Sequence, residues 1–301
     1  MYMFRNKINS YSFQRNTGLS YSEKKIRIQP QQQEIPLPPP ISIMNMSISA
    51  VVILTRGYRE LFKYNDLIKR NVSISKNLIN KNIDIVIFHE GNITKNQQIY
   101  ISKFTPELKI IFKNVVFLNK NIVFDKDTIR FNIGYRHMCF FWFVDFWNYV
   151  ENYEYILRID EDCVINFNID TIFQKMGNKV AVYGKWEKDA DYVTKKMNKF
   201  TLDFLQNSKL PRKPSGPYTN VIGFNLTLLR KNELLKKYID KVKESDNIYV
   251  YRWGDLSLWG EVLSYLYHPS QHSNTTNIKY YHGSHNTSIN DQSDFKLAKF
   301  N

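Results

Sequence analysis

Cysteine is scarce in this chain of 301 residues: Cys139 and Cys163 are the whole complement, too few for a disulfide framework or a four-ligand zinc site. Both stand among apolar neighbours, which predicts buried free thiols. Long apolar runs are missing too. No run of about 18 apolar residues occurs, and the longest apolar-leaning stretch, Ile41 to Leu54, is broken by Asn45 and Ser47. It reads as a core strand with its lead-in rather than a membrane span, and the chain is expected to be soluble. No internal repeat is visible, so a repeat architecture is not expected. Acids are outnumbered, 28 Asp and Glu against 42 Lys and Arg, for a net charge of +14, which favours anionic partners. The lysines are scattered and interleaved with asparagine, as in Lys69-Arg70-Asn71 and Asn80-Lys81-Asn82. Without a stripe or a recognised motif, a nucleic-acid partner is not expected. Six Asn-x-Ser/Thr sequons, among them Asn45, Asn71 and Asn225, arise readily by chance in so asparagine-rich a chain and argue little for secretion.

What is present is enough for a large core: 43% hydrophobic and 15% aromatic residues. Residues 1–44 are basic and polar, then rich in Gln and Pro from Gln31 to Pro40, a composition that predicts a flexible, partly polyproline tail. One domain is expected over 45–301. Its first half, about 45–165, alternates strands and helices: Ser47 to Leu54, a helical pattern to Ile68, Asn82 to Glu90, Asn114 to Leu118, a helix from Tyr135 to about Tyr149, and a strand ending at Asp160. Such alternation predicts an α/β fold with a mostly parallel central sheet flanked by helices, and ligands at the carboxyl ends of its strands. The second half, about 166–290, is less regular, with strands at Val180 to Gly184 and Tyr218 to Leu228, helices at Val193 to Leu205 and Leu256 to Leu266, and a Lys-rich helix to about Val242.

The stretch Tyr153 to Ile165 is organised around Asp160-Glu161-Asp162. A β-prone run that buries its body exposes three consecutive acids only at its tip. Oxygen donors on a rigid strand end suit a hard divalent ion, Mn2+ or Mg2+. An acidic turn facing solvent is the plain alternative, and for an isolated triplet the commoner one.

Four motifs change that balance. Tyr135-Arg136-His137-Met138-Cys139, then Tyr153-Glu154-Tyr155 with Arg158-Ile159-Asp160-Glu161-Asp162, then Arg252-Trp253-Gly254-Asp255, then Ile278 to His282 occur in the order and spacing of the fungal α-1,2-mannosyltransferases. From about Ser47 to about His285 the chain resembles that family. The resemblance implies a GT-A fold, GDP-mannose as donor, Mn2+ (or Mg2+) as cofactor, a glycan or glycoprotein acceptor, and transfer with retention of configuration.

Carried over residue by residue, the resemblance makes Asp160, Asp162 and His282 the metal ligands, Glu161 standing where the family has proline. An imidazole beside a carboxylate is sound Mn2+ chemistry. Tyr135 and Asp255 match active-site residues, and Asp191 falls where the family has glutamate; these three are the candidate catalytic residues. Thr55, Arg56, Arg136 and Arg158 are the candidate nucleotide-binding residues. For Arg158 a buried ion pair is an equal reading, and for Asp255 an N-cap of the following helix is compatible with a functional role. At Ile222 the family carries a glutamate discussed as a nucleophile, and an alkyl chain cannot attack an anomeric carbon. Three readings follow: attack on the same face as the leaving diphosphate, another carboxylate such as Asp255, or an inactive sugar-nucleotide or glycan-binding protein of the same fold. The family is usually held in the Golgi by an N-terminal membrane helix; without one here, a cytoplasmic or viral-factory setting is the expectation.

Overall fold

The computed structural model describes residues 49–117 and 121–283; the tail expected over 1–44 and Leu118 of the expected third strand lie outside them. The first half runs β1 (Ser49–Leu54), α1 (Asn65–Asn77), β2 (Asp84–His89), α2 (Lys95–Ser102), β3 (Lys109–Asn114), α3 (Ile133–Phe140), β4 (Tyr155–Ile159) and β5 (Cys163–Ile165). The second runs α4 (Ile169–Lys175), β6 (Ala181–Tyr183), β7 (Trp186–Glu187), α5 (Met197–Phe204), β8 (Gly216–Pro217), β9 (Val221–Asn225) and α6 (Leu226–Arg230). It closes with α7 (Glu233–Ser245), α8 (Asn247–Tyr251), α9 (Asp255–Tyr265), β10 (His272–Asn274) and β11 (Tyr280–His282).

Seven strands form one sheet in the order β10-β6-β9-β4-β1-β2-β3. It is the mostly parallel sheet the alternation predicts, with β9 antiparallel to both β4 and β6. The central strands β1 and β2 are continuous apolar runs because both faces are covered. Val51, Ile53, Ile85, Ile87, Leu157 and Ile159 pack on one face with residues of α1 and α4. Ala50, Val52, Val86, Phe88, Ile156 and Ile222 pack on the other with the aromatic segment after α3 and with α7 and α9. Odd and even residues of neighbouring strands thus serve opposite faces, as a pleated strand requires. Cys139 and Cys163 are buried free thiols. Two of the sequons are in the interior: Asn71 is fully buried and Asn225 nearly so.

Three expectations shift. The third strand is 109–114 rather than 114–118: it pairs in parallel with β2 through its backbone, and its side chains, none of them buried, suit an edge. The helix expected from Tyr135 to Tyr149 is regular only to Phe140, then widens into a π turn over Phe141–Asp145 and tightens over Phe146–Tyr149, which lets this aromatic-rich segment fold down onto the sheet. The strand expected from Tyr218 to Leu228 yields at Asn225, whose side-chain oxygen accepts from Leu228 N at 3.0 Å and caps α6.

Topology fixes where a ligand belongs. The chain winds outward from β1 through β2 to β3, then returns to lay β4 on the other side of β1. The crevice between the carboxyl ends of β1 and β4 is a topological switch point, the position at which open α/β sheets bind ligands. No helix among the described residues is long and apolar enough to cross a membrane.

Candidate active site

Strand β4 leads straight into the acidic turn. Its last even residue, Arg158, is only 3% exposed and sits between two acids. Nε donates to Asp160 Oδ1 at 2.8 Å and Nη2 to Oδ2 at 3.3 Å, while Nη1 is paired with Asp255. The guanidinium also lies 4.4 Å over the Trp142 ring. Burial opposes a charge here, but Asp160 and Asp255 outweigh it and hold Arg158 protonated. Burial likewise pushes Asp160 above the usual carboxylate range, against the pull of Arg158. A second guanidinium, the fully buried Arg70 of α1, donates to the Ile159 carbonyl at 3.3 Å beneath the turn, and burial pushes it down to about 9.

Behind the turn, β11 pairs antiparallel with β5, placing His282 opposite Cys163. His282 Nε2 is 3.3 Å from Asp162 Oδ1. Asn220 Nδ2 bridges the two halves of the cluster, donating to Asp160 Oδ2 at 3.2 Å and to His282 Nε2 at 3.1 Å. Tyr218 Oη lies 3.3 Å from the other ring nitrogen. One ligand atom each of Asp162, Cys163 and His282 falls within a 4.8 Å sphere of mutual distance. Carboxylate and imidazole fit a hard divalent ion; the Cys163 thiol does not, because burial and the neighbouring carboxylates push it well up and keep it protonated. The chain of contacts Asp255–Arg158–Asp160–Asn220–His282–Asp162 therefore joins the three expected metal ligands to Asp255.

No protein-family model matches the chain, and no curated protein matches it in sequence. Solved structures do. The mannosyltransferase Ktr4p from S. cerevisiae superposes with a TM-score of 0.67 at 18% identity, over 78% of this chain and 70% of that one. Core-mannan synthase A from Aspergillus fumigatus, in its Mn/GDP form, gives 0.67 at 15% identity, over 81% and 77%. The chain shares the fold of these structures, a GT-A fold.

Within this GT-A fold the other expected residues divide. Thr55 and Arg56 follow β1 at the switch point: Thr55 is buried with its hydroxyl donating to Glu161, and Arg56 is exposed, 5.1 Å over the Tyr58 ring. Tyr58 Oη donates to the other Glu161 oxygen at 2.8 Å, and burial with Glu161 beside it pushes the phenol up to about 12. Asp255 opens α9 and is nearly fully buried against Arg158. It is placed there because Gly216 and Gly260 let β8 and α9 touch backbone to backbone; a Cβ on Gly260 would overlap the Ser215 carbonyl. Tyr135 is partly exposed on α3, its ring 3.9 Å from the Arg252 guanidinium. Ile222 lies in register with Arg158 and is fully buried on the same sheet face.

Two expected residues have other surroundings. Arg136 is fully buried, and its guanidinium donates to the Tyr249 carbonyl and, at 2.6 Å, to the Thr128 carbonyl. That leaves it tying the 124–128 segment to α8 rather than facing a nucleotide. Asp191 is exposed and paired with Lys213 at 2.8 Å, a solvated ion pair. The carboxylate that meets α9 is Asp189, two residues earlier: its Oδ2 accepts from Ser257 Oγ at 2.8 Å, and burial pushes it above the usual range. A Cβ on Gly254 would come within 3.0 Å of the same oxygen. The sequence signal for it was the neighbouring motif Arg252-Trp253-Gly254-Asp255, where Arg252 takes a left-handed φ of 60°, uncommon outside glycine and frequent at functional sites. Asn220 was missed as well, since an amide in the turn before β9 carries no pattern of its own.

Proposed function

We propose that the protein is a divalent-metal-dependent glycosyltransferase that moves mannose from GDP-mannose, with retention, to a sugar hydroxyl of a glycan or glycoprotein. The observation that carries this reading is the contact chain linking Asp160, Asp162 and His282 to Asp255 at the switch point of the sheet. The solved structures in GDP and Mn/GDP forms that share the fold support the choice of nucleotide and ion.

Asp160, Asp162 and His282 would hold the ion. When bound, it acts as a Lewis acid that stabilises charge on the departing nucleoside diphosphate. The remaining work falls to side chains of the chain itself. Arg158 stays protonated and fixes the carboxylates of Asp160 and Asp255, so both are oriented before substrate arrives, which lowers the cost of reaching the reactive geometry. Tyr135, Asp255 and Asp189 line the side on which the acceptor would enter; Asp189, raised by burial, is the carboxylate suited to accept the acceptor's proton. Ile222 offers no nucleophile, and its burial in the core with Arg158 in register leaves the sheet face dry. Acceptor attack on the face the diphosphate leaves is the route this arrangement favours.

The test is release of GDP from GDP-mannose with mannose or a mannoside as acceptor. Wild type turns over, Asp160→Ala does not, and Asp255→Asn keeps nucleotide binding while losing turnover, because a contact made only in the transition state shows in rate. Ile222→Glu gives no gain in rate. Donor binding without turnover across an acceptor panel, with turnover appearing in Ile222→Glu, would instead identify an inactive binder.

A further inference from the structure

A cavity of about 350 Å³ opens on the α9 face of the sheet, lined by residues of β6, β7, β10 and the carboxyl end of α9. Ala181 stands opposite His272 in the β6–β10 pair and adds only a methyl group to this face. Tyr183 and His272 share the face by alternation and are joined through Tyr183 Oη and His272 Nδ1 at 2.9 Å. Trp186 packs beside both: its ring centroid is 5.5 Å from that of Tyr183 and 6.1 Å from that of His272, with the indole only 23° from the imidazole plane. Leu263 and Tyr267, both buried, and Ser264, exposed on α9, complete the lining. No Lys, Arg, Asp or Glu among the described residues lines the cavity. Burial, with Lys179 nearby, pushes His272 below its ordinary value and leaves its ring neutral.

We infer that this cavity is a carbohydrate subsite, separate from the reaction centre, in which one hexopyranose of an oligosaccharide acceptor stacks on the Trp186 and His272 rings. The choice of a mannose chain as its occupant rests on the glycosyltransferase reading above. An uncharged aromatic lining gives no hold to a phosphate. A pyranose has the complementary surface: a face of C–H bonds that meets the negative face of an aromatic ring, and a rim of hydroxyls that needs a few placed polar groups. Those groups are present. The bond to Tyr183 engages Nδ1 of His272 and leaves Nε2 for a ligand, and Ser264 adds a hydroxyl. The cavity is also set apart from the acidic turn. Tyr183 is level with Ile222, and Ile222 with Arg158, so it stands two strands farther out, roughly 10 Å. Leu263 follows Asp255 along α9 by roughly 12 Å, and β8 touches the helix between them at Gly260. One sugar at Asp255 does not span that gap, whereas a chain of several does. Residues 186–189 supply the path, running from Trp186 in the cavity to Asp189 on the acceptor side.

The experiment is titration calorimetry of the full chain with linear α-1,2-mannotetraose and with methyl α-mannoside, for wild type, Trp186→Ala and Ser264→Trp, alongside GDP in Mn2+. Wild type should bind the tetrasaccharide about tenfold or more tighter than the monosaccharide, the size expected for one well-packed aromatic contact. Both variants should bring the two sugars within about threefold of each other, with GDP affinity and turnover on methyl α-mannoside unchanged. Ser264→Trp fills the cavity from an exposed position without touching the core, so it decides the matter should Trp186→Ala not fold. A wild-type ratio near one, or a preference that survives in Ser264→Trp, overturns the inference while GDP binding keeps the donor reading. A loss of GDP affinity equal to the loss of sugar affinity in both variants overturns it too, since the substitutions would then act through the fold. Failure of GDP to bind wild type overturns the donor reading, and the saccharide ratio still decides the cavity.

Discussion

Asp160 and Asp189 are both partly buried carboxylates at the rim of one sheet, yet they are held there differently. Asp160 continues a strand: its N donates to the Asn220 carbonyl at 2.9 Å, and its side chain is gripped by Arg158 and Asn220. Asp189 lies in irregular backbone between β7 and α5 and is aimed by one bond from Ser257 of α9. One wall of the site is therefore made by strand tips, where neighbours in sequence are neighbours in space. The other is made by loops, whose residues meet only because distant segments pack.

The difference predicts which substitutions break the molecule and which only tune it. The largest effect belongs to the strand wall. Arg158→Met should cost about 3–5 kcal/mol of stability in urea unfolding, because Asp255 and Asp160 would be left buried without their counter-charge. Adding Asp255→Leu should restore part of that loss, since it removes one of the two carboxylates left without a counter-charge while Asp160 keeps only its bond from Asn220. A small effect of the single change would mean that the pair is hydrated in solution and that this wall is no more rigid than the other.

The loop wall should respond in function rather than in fold. Asp189→Asn is expected to cut turnover by about 10- to 100-fold with little change in the unfolding midpoint, as for loss of a proton acceptor. Asp191→Asn removes an exposed pair with Lys213 and should stay within about 0.5 kcal/mol in stability and unchanged in rate. If the two swap behaviour, the family's glutamate position is Asp191 and the contact with Ser257 is incidental.

The smallest effect concerns what lies under the loop wall. Glu261, on the helix that carries Asp255, is fully buried, and burial pushes its carboxyl above the usual range. A carboxyl that is harder to ionise folded than unfolded lowers stability as pH rises through and beyond its unfolded value near 4.5. Stability should therefore fall with rising pH from that value toward neutrality, and Glu261→Gln should flatten the fall. Thermal unfolding at pH 4.5 and 7 reads the difference, and equal slopes for the two proteins would remove Glu261 as its source.

The same contrast explains what could be read from the sequence. The parallel sheet, its switch point and the acidic tip of β4 were legible because strand burial leaves a local signature and because four motifs kept their order. Asp160, Asp162, His282, Arg158 and Asp255 come together as those motifs imply. An arginine beside a motif tyrosine says nothing about direction, and on α3 Arg136 points inward, to carbonyls of Thr128 and Tyr249. Asp189 and Asp191 differ by two residues in a segment with no period, and only α9, more than sixty residues further on, decides between them. Glu161 looked like part of a ligand cluster until the register of β1 against β4 turned it toward Thr55.

The central claim is that the strand wall is an ion site serving a nucleotide. Calorimetry of GDP binding with Mn2+, with chelator, and with His282→Ala tests it most directly. Tight binding in Mn2+ that weakens sharply both in chelator and in His282→Ala is the predicted result, because Asp160, Asp162 and His282 would hold an ion whose charge favours the diphosphate. Equal GDP affinity in all three would contradict the account.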